Sequence, residues 1–256
     1  MHTDFSIHVQ DTLNSHPRNT GIVYDPEPHT YHRYHDNGDV ERYYGVTSLL
    51  KRYSPFDAKS IKYGIVNSKK PEYAHLNSIE DVEAEWKAAR DHGTNIHNDL
   101  EESYHTGQQP EYPESQMALE FIRKKGLIPV GSEFVVFCDR LKRATPIDIP
   151  LVNKHGQLVV GDWKTSKEIK YDHYEYNGKK KKMEYPLTHL PTANFYSYSL
   201  QVGLTIHWLK KYYKLPFPIA PYGYIFHIRD GKFKAHRTLP MQNEIRMIYD
   251  WEKRTN

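Results

Sequence analysis

Cysteine is almost absent from this sequence, which holds Cys138 alone in 256 residues. A single thiol excludes an internal disulfide, a four-cysteine zinc site and an iron–sulfur cluster, since each of these needs more than one cysteine. A chain without disulfides is typical of a reducing compartment. We therefore expect a cytoplasmic protein, in the host cytoplasm if the chain is viral.

Long hydrophobic runs are missing too. No stretch of about 18 apolar residues occurs, so we expect no membrane-spanning segment and no membrane partner. The first twenty residues carry Asp4, Asp11 and only one arginine, Arg18, which is unlike a signal peptide or a mitochondrial transit peptide. We interpret residues 1–20 as a flexible tail and residues 21–256 as one domain, which we expect to be monomeric.

Neither sign of charge dominates, because the net charge is only +3. The charges are unevenly placed, however: residues 80–102 are strongly acidic, whereas residues 164–182 hold seven lysines. For binding a polyanion, the placement of charge matters more than its sum. The 21 tyrosines add rings that can pack in a core or stack on nucleic-acid bases.

Hydrophobic periodicity and turn signals predict an α/β chain. The turn signal Asp36-Asn37-Gly38 predicts an N-terminal hairpin over residues 22–46, and Ser78 with Asp81 predicts the capped start of a long or broken helix over residues 79–104. Further strands are predicted at 133–138, 145–152, 158–165, 222–229 and 232–239, and further helices at 114–125, 193–213 and 241–253.

Two charged residues on one predicted strand are the first candidates for chemistry. Strand alternation places Asp162 and Lys164 on one face, about 6.6 Å apart along the strand. Asp148 lies one hairpin earlier, so antiparallel pairing through residues 153–156 could bring it beside Asp162. Because paired carboxylates repel, we expect the two aspartates to share a divalent cation such as Mg²⁺. Lys164 would orient a water or stabilise charge on a phosphate.

Glu133 and His97 are further candidates. Glu133 starts the preceding predicted strand and could add a third carboxylate. Gly93 and His97 lie one turn apart on a helical face, where the glycine permits close approach and His97 can reach a metal-bound water or a phosphate. In isolation, each candidate has an ordinary interpretation: a surface salt bridge, a solvent-facing glutamate, or a histidine paired with Glu101.

Taken together in this order, these residues resemble the RecB-like branch of the PD-(D/E)XK nuclease superfamily, and most of all mitochondrial genome maintenance exonucleases and their phage relatives. The matching positions are Gly93, His97, Glu133, Asp148, Asp162, Trp163, Lys164, Thr165, Ser166 and Gln201. The stretch from Asp25 to Leu50 is similar to the hairpin and Val-Thr-Ser helix start that often open phage members. The likeness extends over residues 22–252, loosely between the motifs.

The resemblance implies a restriction-endonuclease-like core, in which a central mixed β-sheet is flanked by helices, preceded here by the N-terminal hairpin. It implies Mg²⁺ or Mn²⁺ held by Asp148, Asp162, the Trp163 backbone carbonyl and His97. The implied catalytic residues are His97, Glu133, Asp148, Asp162 and Lys164. The family's Gln-x-x-x-Tyr element matches Gln201, but its tyrosine position is Thr205 here, and Tyr198 is a candidate replacement for the DNA contact.

The lysine-rich segment after the Asp162 strand is either a solvated loop or a DNA clamp. In a clamp, its lysines would bind phosphates while nearby tyrosines stack on unpaired bases, and the lysines concerned are Lys167, Lys179, Lys180, Lys181 and Lys182. We therefore predict a metal-dependent DNA exonuclease that acts on single-stranded or frayed ends in replication, repair or recombination.

Three other functions remain open at this stage. An endonuclease would use the same chemistry without needing a DNA end, and a non-catalytic DNA-binding protein would keep the fold alone. A zinc-binding module is the third alternative, and its candidate ligands are His29, His32 and His35. Alternation along a strand separates these histidines between two faces, which disfavours a shared zinc ion.

Overall fold

The computed structural model describes residues 2–19, 21–25, 27, 30–176 and 179–255. Helices and strands follow one another in runs along the described part of the chain. The α-helices are α1 (His2–Asn14), α2 (Val46–Leu50), α3 (Ala58–Val66), α4 (Ile79–Thr106), α5 (Pro113–Lys124), α6 (Asn194–Trp208) and α7 (Gln242–Thr255). Short 3₁₀ turns occur at Pro17–Asn19 and Pro71–Tyr73, and a π-helical segment, Leu209–Tyr213, continues α6.

The strands are short, apart from one near the end of the chain. They are β1 (Ile22–Asp25), β2 (Thr30–Tyr34), β3 (Val40–Gly45), β4 (Ile128–Pro129), β5 (Phe134–Cys138), β6 (Arg143–Ile147), β7 (Ile149–Val152), β8 (Leu158–Lys164), β9 (Glu175–Tyr176), β10 (Lys179–Lys180), β11 (Ile219–Arg229) and β12 (Lys232–Arg237). The predicted N-terminal hairpin is confirmed as β2 and β3, which pair in antiparallel register, with β1 added outside β2.

Two five-stranded sheets form the framework of the molecule. The first has the order β1-β2-β3-β6-β5, and the second has the order β12-β11-β8-β7-β4. Each is mixed, because β3 runs parallel to β6 and β8 runs parallel to β11, while the other pairs are antiparallel. The structure confirms the α/β class with mixed sheets and flanking helices. We had expected one central sheet, and the strands divide between two.

The division between the sheets occurs at Asp148. Ile147 pairs with Phe134 in the first sheet, and Ile149 pairs with Gly161 in the second. The predicted strand 145–152 is therefore two strands, and Asp148 is the residue between them. Its side chain accepts a hydrogen bond from the Trp163 backbone N–H at 2.7 Å, a donor that lies on the neighbouring strand β8. The break places a carboxylate where the two sheets meet.

Helix α4 supports one side of this junction. Its start has the predicted capping box, in which Ser78 Oγ accepts the Asp81 N–H and the Asp81 carboxylate accepts the Ser78 N–H. The helix buries Ile96 and Leu100 against a cluster that contains Trp163 and Phe226. Its charged residues remain largely at the surface, so the amphipathic pattern decides which face of the helix meets β8.

Helix α1 differs from the flexible tail that we predicted for residues 1–20. Val9 and Leu13, four residues apart on one helical face, are only 0% and 1% exposed. They join the hydrophobic cluster that also holds Trp208 and Tyr249 from the end of the chain. The packing of this apolar face orders the segment, which sequence composition alone did not indicate. Within the described part of the chain, no helix combines the length and apolar character needed to cross a lipid bilayer.

Candidate metal centre and active site

Strand β8 places Asp162 and Lys164 on one face, as strand alternation predicted. Lys164 Nζ lies 2.6 Å from Asp162 Oδ2, off the direction of a hydrogen bond, so that Oδ2 has an ion-pair partner but no hydrogen-bond partner among the described residues. The other oxygen, Oδ1, accepts a hydrogen bond from Gln201 Nε2 at 3.1 Å. Asp162 is thus a buried carboxylate whose position is set by two side chains from different elements.

Asp148 lies beside Asp162, as predicted. The antiparallel register of β7 and β8 pairs Ile149 with Gly161, which brings the residue before β7 next to the end of β8. The side chain of Asp148 is 8% exposed, and its Oδ2 is 3.8 Å from His97 Nδ1 on α4. Residues from a helix and from two strands therefore meet at one point.

Glu133 completes a group of three possible metal ligands. One ligand atom each of His97, Glu133 and Asp148 lies within 4.8 Å of the others. Glu133 precedes β5 with a positive φ of 47°, a conformation that non-glycine residues rarely adopt and that often marks a functional position. We had expected Asp148 and Asp162 to share the metal, with His97 as a further ligand and Glu133 as a third carboxylate. In the structure, Glu133 joins Asp148 and His97, while Asp162 is engaged by Lys164 and Gln201.

The pKa values at this site reflect charge that is crowded into a small volume. Burial, together with the negative charges of Asp148, Glu101 and Asp162, raises the pKa of Glu133 to about 8. Burial raises the pKa of Asp162 to about 6 against the attraction of Lys164, and it raises the pKa of Asp148 as well. These carboxyls resist ionisation in the absence of added positive charge, and a cation would relieve the repulsion.

The two basic groups of the site differ in protonation. Burial lowers the pKa of Lys164, but the attraction of Asp162 and Asp148 outweighs it and the pKa is raised, so the ammonium stays charged. Burial and the positive charge of Lys164 lower the pKa of His97 to about 4. The imidazole is therefore neutral near pH 7 and keeps a lone pair for a metal ion.

His97, Glu133, Asp148 and Lys164 line one open cavity of about 700 Å³. Gly93 allows helix α4 to lie close to Thr165, which follows β8, since a Cβ at position 93 would be 2.6 Å from Thr165 Oγ1. Tyr198 lines the cavity and places its ring 5.1 Å from Lys164 Nζ. Tyr24 and Tyr31 of the N-terminal strands also line it, with ring centroids 5.1 Å apart. The cavity thus combines a possible metal site, a fixed cation and aromatic walls.

Among the described side chains, the lysines predicted to bind DNA are not part of the lining of this cavity. Lys167 is exposed just beyond β8, with Nζ 5.3 Å from the Tyr73 ring, and Ser166 next to it does line the cavity. Lys180, Lys181 and Lys182 are exposed on the loop after β8. The side chain of Lys179 lies outside the described residues. Of the histidines considered for zinc, His29 also lies outside them.

Several residues of the cavity were missed by sequence reasoning. Asn98 and Glu101 follow His97 on α4, and helical spacing from His97 was the signal that could have identified Glu101. Tyr24 and Tyr31 carry no local signal, because only the fold brings the N-terminal strands to the junction of the sheets. Gln201 was expected to bind DNA, and the structure places it against Asp162 instead.

Comparison with known proteins adds no assignment at this point. No family model matches the chain, and no curated protein matches it. The argument for function therefore depends on the chemistry of the cavity.

Proposed function

We propose that this protein is a divalent-metal-dependent DNA nuclease with the restriction-endonuclease-like core of the PD-(D/E)XK superfamily. One observation carries the proposal: His97, Glu133 and Asp148 converge to within 4.8 Å, and the Asp162–Lys164 ion pair lies next to them in the same region. Acidic ligands beside a fixed ammonium suit the hydrolysis of a phosphodiester, in which negative charge grows on the phosphate.

The donor set fits a hard divalent cation. Two carboxylates and a neutral imidazole suit Mn²⁺, and Mg²⁺ would bind with more of its ligands supplied by water. The raised pKa of Glu133 favours added positive charge. His97, Glu133 and Asp148 would hold the ion, and we propose Asp162 and the Trp163 backbone carbonyl as further ligands from strand β8.

Each residue then has a distinct part in the chemistry. A bound divalent cation would neutralise a phosphate oxygen and lower the pKa of a bound water. Lys164 would face the reacting phosphate with a charge that Asp162 holds in place. Gln201 would keep the Asp162 carboxylate oriented through Oδ1. His97 would remain neutral, since its pKa of about 4 leaves the lone pair free at neutral pH.

The walls of the cavity favour an unpaired substrate. Tyr24 and Tyr198 offer ring faces on which a single base could stack, and Tyr24 is 41% exposed. A duplex presents its bases to each other and leaves none for such contacts. We therefore propose single-stranded or frayed DNA as the substrate, with a free end as the site of attack.

The decisive experiment uses labelled DNA of three kinds. Linear single strands, duplex and circular single strands would be incubated with Mn²⁺ or Mg²⁺, and the products resolved on denaturing gels. Asp162→Asn and Lys164→Met should each lower cleavage by at least a hundredfold, because they remove a fixed charge from the reacting site. Matched controls are Asp230→Asn and Lys154→Met, which alter exposed residues in turns away from the site.

Each outcome assigns a different function. Cleavage of linear but not circular strands indicates an exonuclease, and cleavage of both indicates an endonuclease. Salt-dependent DNA binding without products in either metal indicates a non-catalytic DNA-binding protein. Retention of full metal-dependent cleavage by Asp162→Asn or Lys164→Met would overturn the proposed site.

A further inference from the structure

A second group of basic residues lies on the first sheet, centred on Tyr44 of β3. The guanidinium carbons of Arg42 and Arg143 lie 5.4 Å and 5.3 Å from the centroid of the Tyr44 ring. Lys51, just after α2, lines the same cleft as Arg42 and Tyr44. Among the described residues, none of these three cations has a carboxylate within ion-pairing distance. Three unneutralised cations are thus gathered around one exposed ring.

Neighbouring cations of the same region do have carboxylate partners. Lys142 Nζ lies 2.6 Å from Glu41, and Arg52 lies 2.8 Å from Glu252. Asp25, which pairs with the cleft residue Thr30 across β1 and β2, is also engaged: its Oδ1 accepts the backbone N–H of Glu27 and its other oxygen is 4.0 Å from His32. Lys142 and Arg52 are thus paired with carboxylates, whereas the group around Tyr44 has no ion-pair partner among the described residues.

Arg143 is the most buried of the three cations. It is half-buried, and its Nε atom has no hydrogen-bond partner among the described residues. Burial and the positive charge of Arg52 lower the pKa of its guanidinium, although Glu252 opposes this. Arg143 is not among the residues that line the cleft, so we take its guanidinium as positive charge beside the Tyr44 ring rather than as a direct contact for an anion.

The cleft has the chemistry of a phosphate site. It measures about 490 Å³ and presents the side chains of Arg42 and Lys51 with the hydroxyl of Thr47. The Tyr44 ring is 44% exposed between the two guanidinium groups, which it holds in place by cation–π contacts. Guanidinium and ammonium groups with hydroxyls are the usual partners of phosphate oxygens.

We propose that this cleft is a second phosphate-binding site, separate from the candidate active site. Thr30 lines the cleft and Tyr31 lines the active-site cavity, and adjacent residues of strand β2 point to opposite faces. The two sites therefore lie on opposite sides of the hairpin. The phosphate comes either from a nucleic-acid backbone or from a small phosphate compound, and the inference does not depend on the proposed nuclease function.

The test removes the exposed cations and leaves the half-buried one in place. Arg42→Gln with Lys51→Gln is compared with Arg123→Gln with Lys125→Gln, a control that removes one arginine and one lysine from the exposed end of α5. Both proteins lose the same charge. Binding of a fluorescein-labelled single-stranded oligonucleotide is measured by anisotropy in EDTA over a series of KCl concentrations, so that cleavage plays no part.

Two arms separate the two sources of phosphate. If the backbone occupies the cleft, the Arg42 and Lys51 variant weakens binding and reduces the slope of log affinity against log salt by about 0.7 for each lost contact, whereas the control does not. If small phosphates occupy it, inorganic phosphate raises the Tm of the wild type and the control above that in KCl of equal ionic strength, but not that of the variant.

The result that overturns the proposal is also clear. The two double variants would behave alike in both arms, with equal salt slopes and equal responses to inorganic phosphate. Failure of the nuclease function gives a different pattern, since the Asp162→Asn protein would then match the wild type in cleavage assays while the anisotropy and Tm measurements at the cleft stay unaffected.

Discussion

Replacing Glu133 by glutamine tests the electrostatics of the site directly. Burial and neighbouring carboxylates raise the pKa of Glu133 from 4.5 to about 8 in the folded protein. The folded state therefore holds a proton that the unfolded state releases between these values, so stability contributed by this group is lost as the pH rises through about 4.5 to 8. Glutamine carries no charge at any pH, and the variant should be free of this loss.

The expected magnitude follows from the pKa. A pKa that differs by one unit between the folded and unfolded states corresponds to about 1.4 kcal/mol. The rise in the pKa of Glu133 from 4.5 to about 8 therefore sets an upper limit of about 5 kcal/mol on the change in the free energy of unfolding. Asp148 shares the same repulsion, and a buried amide also needs partners, which lowers the net effect. We expect Glu133→Gln to stabilise the metal-free protein by about 1 to 3 kcal/mol at pH 8.5 relative to its effect at pH 5.

The assay is urea unfolding of wild type and variant in EDTA at the two pH values, followed by the same measurement with Mn²⁺. A ligand at a free concentration of about 100 times its Kd stabilises the folded protein by about 2.7 kcal/mol. The wild type should gain stability with Mn²⁺, most strongly at pH 8.5, and Glu133→Gln should lose most of that gain. Glu102→Gln, on the exposed side of α4, is the matched control and should change neither quantity.

Two outcomes would refute this account of the site. One is a Glu133→Gln substitution whose effect on stability in EDTA is no more favourable at pH 8.5 than at pH 5, because the charged form of Glu133 would then not destabilise the fold. The other is an unchanged response to Mn²⁺, which would remove Glu133 from the group of metal ligands.

Three further perturbations test the supports of the site. Gly161→Ala should destabilise the protein by about 1 to 3 kcal/mol in thermal or urea unfolding, since its Cβ would lie 2.6 Å from Ile149 Cγ2; a neutral effect would contradict the packing. Gln201→Leu should lower kcat with a small change in Tm, because Asp162 loses the donor at Oδ1; a change in KM alone would instead indicate DNA contact. Tyr198→Ala should raise KM for single-stranded DNA while Tyr198→Phe does not, and equal kinetics for both would exclude stacking on this ring.

Local sequence patterns determined a large part of this molecule. Alternation on a strand is a property of neighbouring residues, so Asp162 and Lys164 were expected on one face before any fold was known, and their atoms lie 2.6 Å apart. The capping box of α4 depends on residues three positions apart and was likewise predictable. The hairpin pairing that brings Asp148 to Asp162 needed only a turn and a register.

Tertiary structure alone decided the composition of the metal centre. Glu133 reaches Asp148 because a strained backbone turns it inward at the junction of two sheets, and no local pattern marks the break at Asp148 between them. Gln201 donates a hydrogen bond to Asp162, from which it is 39 positions distant in the sequence. Helix α1 is held in place by the packing of Val9 and Leu13 in the core. Such contacts join residues far apart in the chain, so their energy depends on the whole fold and leaves little trace in neighbouring residues.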